Sequence, residues 1–264
     1  MDAQKLQNKL RLLAQQLEAA NPFVIAFSGG LDSRFLAHLA QKSSLRFELF
    51  HVSGPHVPKD ETEYALRWAS ERRIPLTEIQ FSPLALYDVR QGTKERCYAC
   101  KRAIFERIAS FASGKSILDG SNASDLSKFR PGLRALKELG IISPLAVCGV
   151  SKPEIMALAM QTGLDNPTQA ARPCLLTRLE YGLPPTEEVL SRLEMAEKTV
   201  QALGFKNFRL RLHQENPPLL QVSWEEAELL ETKKAKLVAL LAEHGFENAD
   251  MQAEISLSGY FDSL

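Results

Sequence analysis

A chain of 264 residues is long enough to bury a full core and to hold one large domain plus a smaller one. Its 32 basic and 32 acidic residues cancel, which argues against a broad electrostatic pull toward nucleic acid or an anionic membrane surface, so any nucleotide must be gripped locally. Cys97, Cys100, Cys148 and Cys174 are too few and too unevenly placed for the disulfide framework of a small secreted domain, and the sequence shows neither a cleavable leader nor a membrane-spanning run, so a soluble cytoplasmic protein is expected.

In chain order, Leu6, Leu10, Leu13 and Leu17 fall at helical spacing before Pro22 and predict an amphipathic first helix. Strand-like runs follow at 23–27 (FVIAF), 46–52 (RFELFHV), 76–81 (LTEIQF) and 115–120 (KSILDG), separated by helical patterns at 33–42, 59–73 and 100–112. That alternation predicts an α/β fold with a doubly wound parallel sheet. The polar segment 121–132, with Asn122, Asp125, Arg130 and Pro131, reads as a loop at the carboxyl end of the fourth strand, the edge at which such sheets bind ligands. After a helix at 151–163 comes a poorly patterned stretch, 162–185, holding Pro167, Pro173, Pro184 and Pro185; it is either a boundary or an active-site loop. A second unit then begins, with a helix at 187–203, strands at 208–213 and 219–224, a helix at 225–245 and a strand near 251–257. We expect domains at 1–183 and 184–264, the latter a smaller α+β unit.

The junction after the first strand carries the chemistry. A strand ending at Phe27, the turn Ser28, Gly29, Gly30, and a helix starting near Asp32 or Ser33 gather backbone N–H groups at the positive end of a helix, an anion cradle. Glycine lets the backbone approach a phosphate closely. Ser28 and Ser33 add hydroxyls, whereas Asp32 would repel phosphate unless it orients the turn or shares a divalent cation with it. The plainer alternative is an ordinary strand-to-helix turn with Asp32 as the helix cap. No Gly-Lys-[Ser/Thr] is present and the turn is not GxGxxG, so the two commonest phosphate loops are excluded.

The run SGGLDS, Ser28, Gly29, Gly30, Leu31, Asp32 and Ser33, resembles the PP-loop of the ATP pyrophosphatases. Within that superfamily "ERCYACKRAIF" (95–105), "DGSNASDLSKFRPGLRAL" (119–136), "RPCLLTRLEYG" (172–182) and "FRLRLH" (208–213) resemble the LarE family of ATP-dependent sulfur transferases, in that family's order. The resemblance implies an adenine nucleotide α-hydrolase-like fold, ATP and Mg²⁺ as cofactors, and a nicotinate-derived mononucleotide as small-molecule substrate whose carboxylates become thiocarboxylates. It implies ATP contacts at Ser28, Gly29, Gly30, Leu31, Asp32 and Ser33, at His51 and Ser53 closing the second strand, and at Asn122. It also implies a homo-oligomer; the balanced charge and the lack of a membrane-spanning run lead us to expect neither stable nucleic acid nor membrane as partner.

Cys97 and Cys100 stand at CxxC spacing before a helical pattern, with Arg96, Lys101 and Arg102 around them, an environment expected to lower thiol pKa values. They make half a metal site: a structural zinc pair, or, with Cys174, three ligands for an iron-sulfur cluster. LarE-like proteins use two chemistries. In one, the cysteine matching Cys174 gives up its own sulfur; in the other, three cysteines hold a [4Fe-4S] cluster that carries the sulfide. The presence of Cys97, Cys100 and Cys174 together favours the second. Cys148, outside the matching motifs, reads as a buried small residue.

Arg209 and Arg211 alternate onto one face of their strand, either a two-pronged anion site like the family's substrate-phosphate arginines or one polar face of a half-exposed strand. Arg130 either meets a phosphate or is a solvated loop residue. One departure from the family is that Gln221 stands where a metal-binding glutamate is usual, and a neutral amide brings no charge to a hard cation. Glu225 or Glu226 would then substitute, unless the metal is held differently or the substrate has changed. Rival readings are another PP-loop enzyme, a tRNA thiolase or an amide synthase, and a nucleotide-binding or zinc-stabilised scaffold without catalysis.

Overall fold

The computed structural model describes residues 2–126 and 131–262. In chain order the elements are α1 (Ala3–Ala20), β1 (Phe23–Ala26), α2 (Leu31–Lys42), β2 (Phe47–Ser53), α3 (Lys59–Glu71), β3 (Leu76–Gln80), α4 (Tyr87–Arg90), α5 (Arg96–Phe111) and β4 (Ser116–Leu118). They continue with α6 (Pro131–Glu138), α7 (Pro144–Val147), α8 (Lys152–Thr162), α9 (Glu187–Ala202), β5 (Phe208–Arg211), β6 (Leu219–Ser223), α10 (Ala227–Glu243) and β7 (Asp250–Glu254).

The chain divides into two compact units. The first holds Met1–Gly54, Lys59–Phe81 and Cys97–Ala171; the second holds Pro55–Pro58, Ser82–Arg96 and Arg172–Leu264. The division after Ala171 falls inside the proline-bearing stretch that the sequence marks as a boundary or a loop.

In the first unit a parallel sheet runs in the order β3-β2-β1-β4. Strand side chains alternate between faces. Phe23, Ile25 and Phe27 therefore join Leu13, Leu17, Phe35, Leu36 and Leu158 of α1, α2 and α8 on one side. Val24 faces the other way, with Phe50, Ile79, Ile117, and Phe105 and Ile108 of α5. Both faces are covered by helices, as a parallel sheet requires. The order matters for function. From β1 the chain winds outward through β2 and β3, then returns to place β4 on the other side of β1, so β1 and β4 flank the point at which the winding reverses. The loops leaving their carboxyl ends open the crevice where ligands bind in such sheets.

The second unit is a three-stranded sheet in the order β5-β6-β7, antiparallel then parallel. Leu190, Leu193, Ala196 and Val200 of α9 and Leu230, Leu237 and Leu241 of α10 are buried. No described helix is long and apolar enough to cross a membrane.

Several boundaries differ from the sequence reading. Helix α5 begins at Arg96, so Cys97 and Cys100 both lie within its first five residues and not ahead of it. Helix α6 starts at Pro131, inside the segment expected to be loop; proline suits a first helical position because its missing N–H would be unpaired there anyway. Strand β5 ends at Arg211 and β7 at Glu254, short of the expected 213 and 257.

Candidate active site

Beyond β1, Phe27 continues the sheet by donating its N–H to the Phe50 carbonyl at 2.8 Å, and the chain then turns sharply. Gly29 has φ +76°, and a Cβ there would sit 3.1 Å from the Ala65 Cβ, so both conformation and space call for glycine. Gly30, and not Asp32, is the N-cap of α2, and no side chain caps this end. The leading N–H groups of α2 thus form the donor end of a helix over which Ser28 and Ser33 place hydroxyls 3.2 Å apart. Ser33 also donates to the Gly30 carbonyl at 3.1 Å, which closes the turn. Leu31 is buried in the core, so only its backbone is available to a ligand.

The β4 loop meets this turn. A Cβ on Gly120 would lie 3.1 Å from the Ser33 nitrogen and 3.2 Å from the Asp32 Cβ. Asn122 donates Nδ2–H to Asp32 Oδ2 at 3.2 Å, while its own Oδ1 accepts from the Ser124 N–H at 2.9 Å. Asp32 Oδ1 accepts from Lys152 Nζ at 2.6 Å. Burial raises the Asp32 carboxyl above its usual range, Lys152 and Asn122 pull it down, and nearby Asp125 adds to the rise. Next to this pair Asp119 accepts from Ser121 at 2.6 Å and Ser143 at 2.5 Å, and Lys101 stands 3.5 Å from it.

His51 is buried at the end of β2, and burial lowers its pKa, favouring the neutral ring. Its Nδ1 lies 2.8 Å from the Phe27 carbonyl, which can only accept, so Nδ1 carries the proton and Nε2 accepts from Thr62 Oγ1 at 3.0 Å. Ser53 donates to Glu78 at 2.5 Å. The side chains of both residues are committed inside the protein, which leaves the backbone for any base. Arg130 lies outside the described residues.

Cys97 and Cys100 are one turn apart on α5, half-buried and buried. Cys148 is half-buried at the end of α7, and burial pushes its thiol pKa up. Among the described residues no three His, Cys, Asp or Glu side chains are gathered into a group that could hold a metal ion. Cys97 and Cys100 belong to the first unit, and the third candidate, Cys174, belongs to the second.

In that second unit Cys174 opens a tight turn over Leu175–Arg178. Thr177 Oγ1 donates to the Cys174 carbonyl at 2.8 Å, and Arg178 Nη1 donates to the Pro173 carbonyl at 2.9 Å. Arg178 makes a two-pronged pair with Glu197, Nε to Oε1 at 2.8 Å and Nη2 to Oε2 at 2.9 Å, with both side chains buried. Burial works against the Glu197 charge, but Arg178 and the Leu210 N–H outweigh it and hold the carboxyl below its usual range. Nothing in the motif reading singled out this pair. A signal was present, because Glu197 interrupts the apolar stripe of α9 between Leu193 and Val200, and a buried acid needs a partner.

Arg209 and Arg211, expected on a half-exposed strand or as an anion clamp, are both buried. Burial first, then repulsion from Arg178, pushes them down to about 9 and about 10. Arg211 donates to Gln221 Oε1 at 2.9 Å, the Thr177 carbonyl at 2.8 Å and the Leu257 carbonyl at 2.5 Å. Gln221 thus serves an arginine, while Glu226 accepts from the Lys206 and Asn207 N–H groups at 2.6 and 3.0 Å. The Cys174 turn, Arg178, Arg209, Arg211 and Glu197 form one cluster, and the Asp262 carboxylate also acts on Arg211.

Comparison with known proteins places these features. The profile of the asparagine synthase family matches residues 10–110, the span that includes the β1 turn. An uncharacterized protein of Synechocystis sp. is 32% identical over 214 residues, covering 79% of this chain and 80% of that one. An uncharacterized protein of Methanocaldococcus jannaschii is 26% identical over 235 residues, or 88% and 89% of the two chains. Pyridinium-3,5-bisthiocarboxylic acid mononucleotide synthase of Lactiplantibacillus plantarum is 27% identical over 213 residues, or 79% and 77%. Among solved structures, NMN synthetase from Francisella tularensis overlaps 64% of this chain and 74% of its own, with a TM-score of 0.49 and 20% identity. The chain thus belongs to one family with the Synechocystis protein, is a homologue of the L. plantarum synthase at 27% identity, carries the asparagine synthase profile over residues 10–110, and is an ATP-using enzyme.

Proposed function

We propose that the protein is an ATP-dependent sulfur transferase acting on the carboxylates of a nicotinate-derived mononucleotide. The observation that carries this reading is the uncapped helix end behind Ser28, Gly29 and Gly30, with Asp32 and Asn122 against it; the likeness to the L. plantarum synthase supports the substrate class. A substrate carboxylate oxygen attacks the α-phosphorus of ATP, the bond from that phosphorus to the bridging oxygen breaks, and pyrophosphate leaves. The N–H groups leading α2 and the hydroxyls of Ser28 and Ser33 receive the charge that develops on the departing group. Asp32 and Asp125 are hard oxygen donors of the kind Mg²⁺ takes, and Mg²⁺ held there would neutralise the same charge. A sulfur nucleophile then attacks the acyl carbon and expels AMP, leaving a thiocarboxylate.

Arg209 and Arg211, with Arg130, are assigned to the substrate phosphate. Cys174 is assigned to sulfur delivery. If a [4Fe-4S] cluster is held, Cys97, Cys100 and Cys174 would hold it and it would supply the sulfide; otherwise Cys174 loses its own sulfur and becomes dehydroalanine. We assign the protein to the cytoplasm as a homo-oligomer.

The test is pyrophosphate release from ATP by anaerobically purified protein, with mass spectrometry of substrate and protein. Release that depends on a pyridine carboxylate mononucleotide, with oxygen-to-sulfur exchange in the product, is the expected result. Release only with tRNA or with ammonia overturns the assignment. The protein mass separates the two sulfur sources, because only a sacrificial Cys174 leaves the chain lighter by the elements of hydrogen sulfide.

A further inference from the structure

Arg34, the fourth residue of α2, has a completely buried side chain and no place in the scheme above. Its Nε donates to the Gly29 carbonyl at 3.1 Å. Its Nη1 donates to the Asp165 carbonyl at 2.9 Å and to Asp165 Oδ2 at 3.3 Å; its Nη2 donates to the Asn166 carbonyl at 3.1 Å and to Gln169 Oε1 at 2.6 Å. One rigid guanidinium therefore clamps the glycine turn at one edge and the 165–169 loop at the others. That loop runs on to Cys174, five residues beyond Gln169 in the chain.

Two consequences follow from geometry. In a trans peptide the C=O and the following N–H point in opposite directions. Fixing the Gly29 carbonyl on Arg34 therefore aims the Gly30 N–H away from it, to the side where Ser28 Oγ lies at 3.3 Å, which is the side of the cradle. Moreover, a buried guanidinium with every edge paired cannot release one partner without stranding donors in the interior. A change in the glycine peptide must then be transmitted to the 165–169 loop. The loop has a second anchor, since Asp165 Oδ1 also accepts from Trp68 Nε1 at 3.0 Å and Arg72 Nη2 at 2.6 Å, so weakening the Arg34 contacts does not leave it unheld.

We propose, on the reading that ATP occupies the 28–33 turn, that Arg34 is a positioning residue that sets the glycine peptide for phosphate and couples nucleotide occupancy to the order of the segment leading to Cys174.

Hydrogen exchange on the full-length protein tests this, with and without Mg²⁺ and α,β-methylene ATP, which cannot be split between its first two phosphates. In the unsubstituted protein the nucleotide is expected to slow exchange at 28–33 and also at 163–171, the latter about tenfold. Gln169→Ala, which removes one contact at the loop end, and Arg34→Lys, which keeps the charge but not the fork, should retain the effect at 28–33 and lose most of it at 163–171. Gln169→Ala carries the test if Arg34→Lys fails to fold. The proposal is overturned if nucleotide slows exchange at 28–33 but not at 163–171, or if both variants transmit the effect undiminished. No slowing at 28–33 in the unsubstituted protein overturns the ATP reading and this coupling with it.

Discussion

At the residue scale, the Asp32 carboxylate differs from one that stabilises the fold at neutral pH. Folding buries it and raises its pKa, although Lys152 at 2.6 Å and Asn122 at 3.2 Å work in the other direction. The sign follows from linkage. A carboxylate whose folded pKa is raised favours folding at a pH below its unfolded pKa, and that contribution is lost as the pH rises through the folded value. At neutral pH the charged form is thus the one that folding disfavours. Asp32→Asn should be at least as stable as the unsubstituted protein near pH 7, its advantage shrinking in acid, as urea unfolding at several pH values would show. Its pyrophosphate release should nevertheless fall about a hundredfold or more, if the charge serves the departing group or its cation. A variant both less stable and fully active would mean that Asp32 is only a structural partner of Lys152.

At the scale of elements, α8 owes its start to a capping box. The Glu154 carboxylate accepts from the Ser151 N–H and hydroxyl, both at 2.8 Å, and from Lys9 of α1 at 2.7 Å. Burial alone would raise the Glu154 carboxyl, but these partners outweigh it and hold it down at about 2, against an ordinary 4.5. The shift has the opposite sign to that of Asp32. Stability from Glu154 is present above pH 4.5 and is lost as the pH falls toward 2. Glu154→Gln should cost about 1 kcal/mol at pH 7, and the gap to the unsubstituted protein should narrow steadily below pH 4.5 in urea titrations. Local features such as the glycine turn at 28–30 and the apolar strand run at 23–27 were legible in the sequence, because each is written within a few residues, whereas the capping box of α8 was not picked out. The start of α6 was not, because Pro131 and Gly132 read as breakers unless the first helical turn is already placed. The burial of Arg209 and Arg211 was not legible either. A strand window shows only alternating arginines, whereas their surroundings come from Gln221, Thr177 and Glu197, between 10 and 34 residues away. The cradle could be read from one segment, but the Cys174 cluster required the fold.

At the scale of the molecule, the two units are not consecutive pieces of chain, and this carries a consequence for how the second one folds. Its 172–264 portion is completed by 82–96 and 55–58. Arg96 Nη2 donates to the Leu179 carbonyl at 2.6 Å and Nη1 to the Glu180 carbonyl at 3.2 Å, with its guanidinium 4.5 Å from the Tyr181 ring. The Gly92 carbonyl accepts from the Gly182 N–H at 2.8 Å, and the His56 carbonyl from the Leu175 N–H at 2.8 Å. The approach at Gly92 is close enough that a Cβ there would lie 2.7 Å from the Leu183 carbonyl oxygen. Residues 175–183, which carry the turn after Cys174, are thus held by chain that comes long before them in sequence. A fragment of 172–264 alone should keep its β5-β6 pairing yet lose order in this turn, read as fast hydrogen exchange at the Leu212 N–H, which bonds the Arg178 carbonyl at 2.8 Å. Joining 82–96 to the fragment through a flexible glycine-serine linker should restore protection and sharpen the urea transition. Equal protection and equal cooperativity without 82–96 would show that the later segment orders the Cys174 turn unaided.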